Sequence, residues 1–409
     1  MDMMEKTMLD VERFIAKYVT KRERSLFRED IESHQAELEA RIAGRRVLVI
    51  GGAGSIGSSF IRALLPFRPT ALVVADTNEN ALTELTRDLR STRGMPIPDD
   101  YLPYPMDFAS PTFERMFRHR CGFDVVANFS AHKHVRSEKD IFSIEALIRN
   151  NLLNARRLLD LMAELSPETY FCVSTDKAAN PVNIMGASKR VMEDLIFSYS
   201  DRFPVKTARF ANVAFSNGSL PAGFLARLAK LQPLSAPLDV KRYFVSPEES
   251  GQICMLACFL GENREIFFPK LAQAQMMSFD EIATALLQEC GYNVLRCGTD
   301  QEALERAEDL RRGSRDYPVR YTPSDTSGEK PFEEFFTEQE TVDRGRFQAL
   351  GVIIEKGISD KSRLAIFLDT LEQMFTREDL TKADVVRVLQ DYLPSFEHIE
   401  TGKSLDKKM

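Results

Sequence analysis

The sequence predicts an α/β fold: a doubly wound parallel sheet, a smaller mixed α/β region and helical extensions at both ends. Three observations lead there. Short β-branched apolar runs alternate with amphipathic helical patterns from Arg45 onward. Such alternation marks parallel strands joined by crossover helices. A glycine-rich turn, "GGAGSIG", follows the first run and opens a helix. The chain is 409 residues long, 44% hydrophobic and 28% charged, a globular composition with room for one large domain or two to three smaller ones.

Residues 1–44 form the first element, an N-terminal helical extension, charged and free of Gly and Pro before Gly44. Leu9, Phe14, Ile15, Tyr18 and Val19 give it partial helical periodicity, so it is expected to pack on the domain or on another subunit. Residues 45–215 hold the alternation. The strands are "RVLVI", "ALVVAD", "FDVVANFS", "TYFCVST" and "VKTARFANV". The helices are "SSFIRALLPF", "NENALTELTRDLRS", "IFSIEALIRNNLLNARRLLDLMAEL" and "NIMGASKRVMEDLIFSYS". Residues 216–358 loosen, with prolines at 221, 233, 237 and 247. Two helices, "PEESGQICMLACFLG" and "SFDEIATALLQECG", and the charged "TDQEALERAEDLRRGSRD" follow. This is the expected substrate-binding region. Residues 359–409 are a C-terminal helical extension with a break at Pro394.

Composition excludes several classes. The net charge is −7 and no basic stripe stands out, which argues against a nucleic-acid partner. No apolar run approaches the ~20 residues that span a bilayer. The start, "MDMMEKTMLDVERF", is charged where a signal peptide would be apolar. The six cysteines form no C-x-x-C pair, and Cys254 and Cys258 lie four apart in an apolar helical pattern. They read as buried thiols, and the five histidines are scattered, so no metal site is expected. Few, unpaired thiols suggest a reducing cytoplasm.

The glycine turn carries the cofactor reading. Gly51, Gly54 and Gly57 stand between a strand and a helix start. There the bare backbone admits a pyrophosphate, and the helix N-terminus offers free N–H groups and a positive dipole end. The G-x-x-G-x-x-G spacing resembles the short-chain dehydrogenase/reductase superfamily and its Rossmann-like domain. Asp76 ends the second strand, where a carboxylate accepts from ribose hydroxyls and repels a 2′-phosphate, favouring NAD over NADP. Asp107 follows the third strand, where that superfamily holds the adenine.

Further motifs sharpen the likeness. "GGAGSIG", "AHKHV", "STDKAANPVNIMGASKR", "ARFANV", "KRYF" and "SGEK" occur in that order. Between about residue 26 and residue 340 the chain resembles the nucleotide-sugar 4,6-dehydratases acting on UDP-N-acetylglucosamine, which make deoxyamino sugars for bacterial polysaccharides and glycans. The resemblance implies bound NAD, a nucleotide-sugar substrate and a homo-oligomer. It adds Ser55, Ile56, Phe108 and Ala131 to the cofactor contacts. For the substrate it implies Lys133, His134, Asn212, Arg242 and Glu329. Arg136 stands where the family has proline, and Ala211 where it usually has glycine.

The implied chemistry explains the catalytic candidates. H5 of an unactivated hexose is not acidic. Oxidising C4 to a ketone places H5 beside a carbonyl. A base then removes H5, an acid expels the C6 hydroxyl, and the stored hydride returns to C6. That scheme needs two more proton carriers than a simple dehydrogenase. Asp176 is the candidate acid and Lys177 the candidate base, with Thr175 beside them at a strand end. Lys189 is expected to hydrogen-bond the nicotinamide ribose. Four residues before it, where Tyr-x-x-x-Lys enzymes carry their proton-transfer tyrosine, stands Met185. Thr175, Asp176 or an ordered water must then take the C4 hydroxyl proton. Two other readings compete: a C4-epimerase, which needs no elimination pair, and a catalytically silent NAD-binding protein.

Overall fold

The computed structural model describes residues 9–324, 330, 332, 334–355 and 360–400. Six parallel strands carry the architecture: β1 (Arg46–Ile50), β2 (Ala71–Asp76), β3 (Asp100–Pro105), β4 (Val125–Asn128), β5 (Thr169–Thr175) and β6 (Val205–Phe210). They lie in the order β3–β2–β1–β4–β5–β6. In register, Val49 sits against Val74 on one side and Ala127 on the other. Helices cover both faces, which is why Val47–Val49 and Leu72–Val74 are all fully buried and read as unbroken apolar runs.

The strand Ile266–Pro269 extends the sheet in parallel beside β6, and Leu350–Glu355 and Thr341–Asp343 close that edge antiparallel. The strand order reverses between β1 and β4. Connections leave in opposite directions there and open a crevice at the carboxyl edge.

A second core lies beside the first. The strands Asn293–Cys297, Asp316–Thr322 and Leu234–Pro237 form a parallel three-stranded sheet. The charged stretch after residue 299 is the helix Asp300–Arg311 that connects two of them. Its buried stripe is Ala303, Ala307 and Leu310.

Three expectations change in detail. The N-terminal extension is not one helix. It breaks into Val11–Phe14, Ile15–Val19, Arg28–Ser33 and Gln35–Ile42. Lys21 turns left-handed (φ 55°), and Arg22 commits its guanidinium to buried Glu249 at 2.7 Å. Phe14 and Ile15 enter the second core, whereas Phe27, Leu38 and Ile42 enter the main one. Buried Asp30 accepts from the backbone N–H of Gln348 (2.6 Å) and Ala349 (2.8 Å).

The boundary at residue 215 does not separate the cores. The helix Pro247–Leu260 and the strands Ile266–Pro269 and Leu350–Glu355 belong to the main core, because the strands pair onto the β6 edge of its sheet and the helix packs on the helix Ser55–Leu64. The helix packs so closely that a Cβ on Gly251 would lie 2.2 Å from the Ser59 carbonyl oxygen. The C-terminal extension breaks at 375–381 as well, between the helices Lys361–Met374 and Lys382–Tyr392. Both bury apolar stripes in the main core.

Candidate active site

The glycine cradle is built by exclusion. Gly51 has φ +70°, and a Cβ there would lie 2.7 Å from the Ser130 backbone nitrogen in the loop after β4. A Cβ on Gly57 would sit 2.4 Å from the Gly51 carbonyl oxygen, and one on Gly54 3.3 Å from it. Gly52, missed in the sequence reading, would press a Cβ to 2.4 Å from Val74. Gly54 is the N-cap of the helix Ser55–Leu64 and supplies no side-chain cap, so the first-turn N–H groups face the crevice without one. Ser55 Oγ accepts from Asn217 N at 2.9 Å, joining the cradle to the segment after Asn212. Ile56 is half-buried against the main core.

Asp76 ends β2, and its carboxylate accepts from Ala53 N (3.0 Å) and Asn78 N (2.9 Å). It therefore shapes the glycine loop itself, through a bond the sequence did not suggest. Asp107 Oδ1 accepts from Ala109 N at 2.9 Å, a turn-forming role, and Phe108 beside it is buried.

The charged turn sits at the end of β5. Asp176 is buried, and its Oδ1 collects three donors: Thr175 Oγ1 (2.8 Å), Lys177 N (2.9 Å) and Lys177 Nζ (3.1 Å). The helix Ile184–Ser198 starts against this turn. A Cβ on Gly186 would lie 2.7 Å from the Lys177 carbonyl oxygen, so glycine permits the approach. Met185 is 2% exposed, an apolar wall with no proton to exchange. Lys189 Nζ donates to the Val173 carbonyl at 2.9 Å. Burial pushes its ammonium below the ordinary lysine value, against the opposing fields of Cys172 and Glu193.

The loop after β4 packs beside the glycine cradle and the helix bearing Met185. Ala131 is half-buried, and Lys133 and His134 are exposed. A Cβ on Gly218 would meet His134 Nε2 at 2.8 Å. Buried Asn151 fixes the loop: it accepts from His132 N (2.9 Å), donates to His132 O (3.0 Å) and reaches Ser188 Oγ (3.1 Å). The sequence hid this role. The one signal was a polar Asn-Asn pair inside an apolar helical run.

Asn212 begins a short strand paired with Phe244–Val245. Arg242 is buried, and its Nη1 donates to the carbonyls of Lys241 and Lys330 at 2.9 Å each. Glu329 lies outside the described residues. Thus the structure gathers the cradle, the loop after β4, the turn and the start of the Met185 helix at the carboxyl edge. Arg242 approaches from the second core, in a strand paired with Met277–Ser278.

Beneath the turn runs a buried ionic network. Arg209 on β6 is fully buried between Glu193 (2.8 Å) and Glu340 (2.7 Å). Ser174 Oγ, one residue before Thr175, donates to Glu193 at 2.6 Å. Burial pushes the Glu340 carboxyl up, but Arg209 outweighs it and holds it below the ordinary carboxylate value.

The sequence profile of the family described as "Polysaccharide biosynthesis protein" matches residues 47–354. The chain belongs to this family. Its curated relatives include "Uncharacterized membrane protein MJ1061" of Methanocaldococcus jannaschii, 27% identical over 85% of this chain and 96% of that protein. They also include a "UDP-N-acetylglucosamine 4,6-dehydratase (inverting)" of Campylobacter jejuni, 22% identical over 82% of this chain and 96% of that protein. The chain spans about half the length of two others, 51% of EpsC from Bacillus subtilis and 47% of CapD from Staphylococcus aureus. Among solved structures, Pen from Bacillus thuringiensis is similar with a TM-score of 0.62 at 19% identity, over 81% of this chain and 99% of that one. That likeness shows the fold, which the sheet order already displays. Among the described residues, no helix is long and apolar enough to cross a membrane.

The family's polysaccharide chemistry gives the buried turn a context. The glycine cradle and the charged pair Asp176–Lys177 lie on one edge of the sheet.

Proposed function

We propose that the protein is an NAD-dependent nucleotide-sugar 4,6-dehydratase, with UDP-N-acetylglucosamine as substrate and a UDP-4-keto-6-deoxy-N-acetylhexosamine as product. One observation carries this reading: Asp176 and Lys177 pair at 3.1 Å at the carboxyl end of β5, where Met185 leaves no tyrosine for simple dehydrogenase chemistry. The cradle fits a dinucleotide, since the helix Ser55–Leu64 starts at Gly54 with no side-chain cap and so leaves its first-turn N–H groups for a pyrophosphate. When bound, NAD supplies reversible hydrogen transfer, from C4 and back to C6.

The chain's own residues do the rest. Gly51, Gly54, Ser55, Ile56 and Gly57 cradle the pyrophosphate. Asp76 keeps acceptor capacity for a ribose beside its two backbone bonds. Phe108 and Asp107 flank the adenine, Ala131 borders the nicotinamide, and Lys189 orients its ribose. Thr175, 2.8 Å from the Asp176 carboxylate, accepts the C4 hydroxyl proton as it passes its own to Asp176. Asp176 then gives that proton to the departing C6 hydroxyl. Lys177 removes H5 and later returns a proton to C5. For these roles Lys177 must be uncharged when it removes H5. Lys133, His134, Asn212, Arg242 and Glu329 bind the sugar nucleotide, Arg242 as a planar donor to phosphate. The unpaired cysteines fit a reducing cytoplasm.

The test is incubation with UDP-N-acetylglucosamine, followed by product mass and proton NMR. Loss of one water is expected. An isomer of equal mass would make the protein an epimerase. No turnover across several sugar nucleotides would make it a silent NAD-binding protein.

A further inference from the structure

Glu138 is a buried carboxylate that the chemistry above does not use. It lies in the loop that carries Lys133 and His134, and its Oε1 accepts from the backbone N–H of Met185 at 3.0 Å, across 47 residues of sequence. Met185 N–H is one of the first-turn donors that a helix cannot satisfy from within. Asn183 satisfies another, the Gly186 N–H, at 2.7 Å. The start of the helix bearing Met185 and Lys189 is therefore held by two side chains, one local and one distant.

The distant one is itself held. Glu138 Oε2 lies 3.4 Å from His398 Nε2, and the Glu138 carbonyl accepts from Lys382 Nζ at 3.2 Å. Lys382 also pairs with Glu400. Ile399 N donates to the Val182 carbonyl at 3.0 Å, next to the Asn183 cap. The C-terminal segment thus meets the substrate loop and the catalytic helix at one point.

We propose that Glu138 is a positioning residue for the reaction, kept in place by the C-terminal segment 382–400. It fixes the start of the helix so that Met185 faces the sugar and Lys189 faces the cofactor. The inference rests on the dehydratase reading for its chemistry, but not for its geometry.

The test uses the full chain and three variants, Glu138→Ala, Glu138→Gln and His398→Ala. The readouts are kcat and KM for UDP-N-acetylglucosamine, the rate of NAD loss and the unfolding midpoint. Glu138→Ala should lower kcat about 100-fold, the scale of a small misplacement of reacting groups, with KM changed less than about 3-fold. Glu138→Gln keeps the acceptor and should recover at least about tenfold of that loss. His398→Ala should fall between Glu138→Gln and Glu138→Ala. A folded Glu138→Ala with wild-type kcat overturns the proposal, as does a loss confined to KM or a Gln variant no better than Ala. If Glu138→Ala does not fold, His398→Ala decides, and an unchanged kcat overturns it. A wild type without turnover sinks the dehydratase reading instead. Faster NAD loss in the Glu138 variants then still supports the positioning role, and unchanged loss overturns it.

Discussion

Two constructions share the carboxyl edge of one sheet. The cradle after β1 is made of missing atoms: at Gly51, Gly52 and Gly57 a single methyl would collide with neighbouring backbone or core. The turn after β5 is made of charges that pair locally, over a buried network that reaches far along the sequence. Gly57 is constrained by Gly51, six positions earlier. Thr175 rests on a strand whose Ser174 reaches Glu193, which pairs with Arg209, which pairs with Glu340. The difference teaches how the two should fail. A cradle fails by steric intrusion, locally and without regard to pH. A charged turn fails by losing one of its charges or the network beneath it.

The sharpest break is at the turn. Lys177→Ala and Asp176→Asn should each slow water loss by about 10²–10⁴-fold, the range for a positioned acid or base, while NAD stays bound. Product mass and cofactor content after gel filtration check this, and full activity in either variant would sink the assignment. Next comes the network. Arg209→Met strands two buried carboxylates and should cost about 3–5 kcal/mol in urea unfolding; a loss under 1 kcal/mol would mean that the network is solvated.

The cradle should break differently. Gly57→Ala should cost about 1–3 kcal/mol by overpacking and abolish NAD retention. Retained NAD in that variant would contradict the cradle. Acid separates the two constructions again. The Glu340 carboxyl is depressed in the fold, so its contribution is present above the ordinary carboxylate value of about 4.3 and is lost as pH falls through the lower folded value. Wild type should therefore lose stability below about pH 4.3 more steeply than Glu340→Gln. Equal slopes would remove Glu340 from the account. The smallest effect belongs to Met185→Leu, which conserves volume and should cost under about 1.5 kcal/mol with turnover nearly intact. A collapse in kcat would mean that the thioether does more than line a wall.

This contrast also explains what could be read from the chain. The strand–glycine–helix unit was legible because its constraints are short in sequence and steric. "STDKAANPVNIMGASKR" was legible as chemistry, since Asp, Lys and the Met-x-x-x-Lys spacing are local. Its support was not. Asn151, Glu138, Arg209 and Glu340 are ordinary polar residues until folding brings them under or beside the turn. The N-terminal region read as one helix because periodicity cannot see Arg22 being drawn out to Glu249. The boundary at 215 failed to separate the cores because an apolar run says that it is buried, not in which core.

One feature bears on how the molecule comes to exist. Among the described residues, Asp30 satisfies its buried carboxylate with the backbone of Gln348 and Ala349, 318 and 319 residues later. A chain emerging from the ribosome exposes that aspartate long before its partners are made. The β-sheet can form its six parallel strands early, but the edge at Leu350–Glu355 and the N-terminal arm lock only once residues 348–355 have been made. Nascent chains therefore carry an unsealed edge and a loose arm until those residues emerge, and removing either partner leaves the other unpaired.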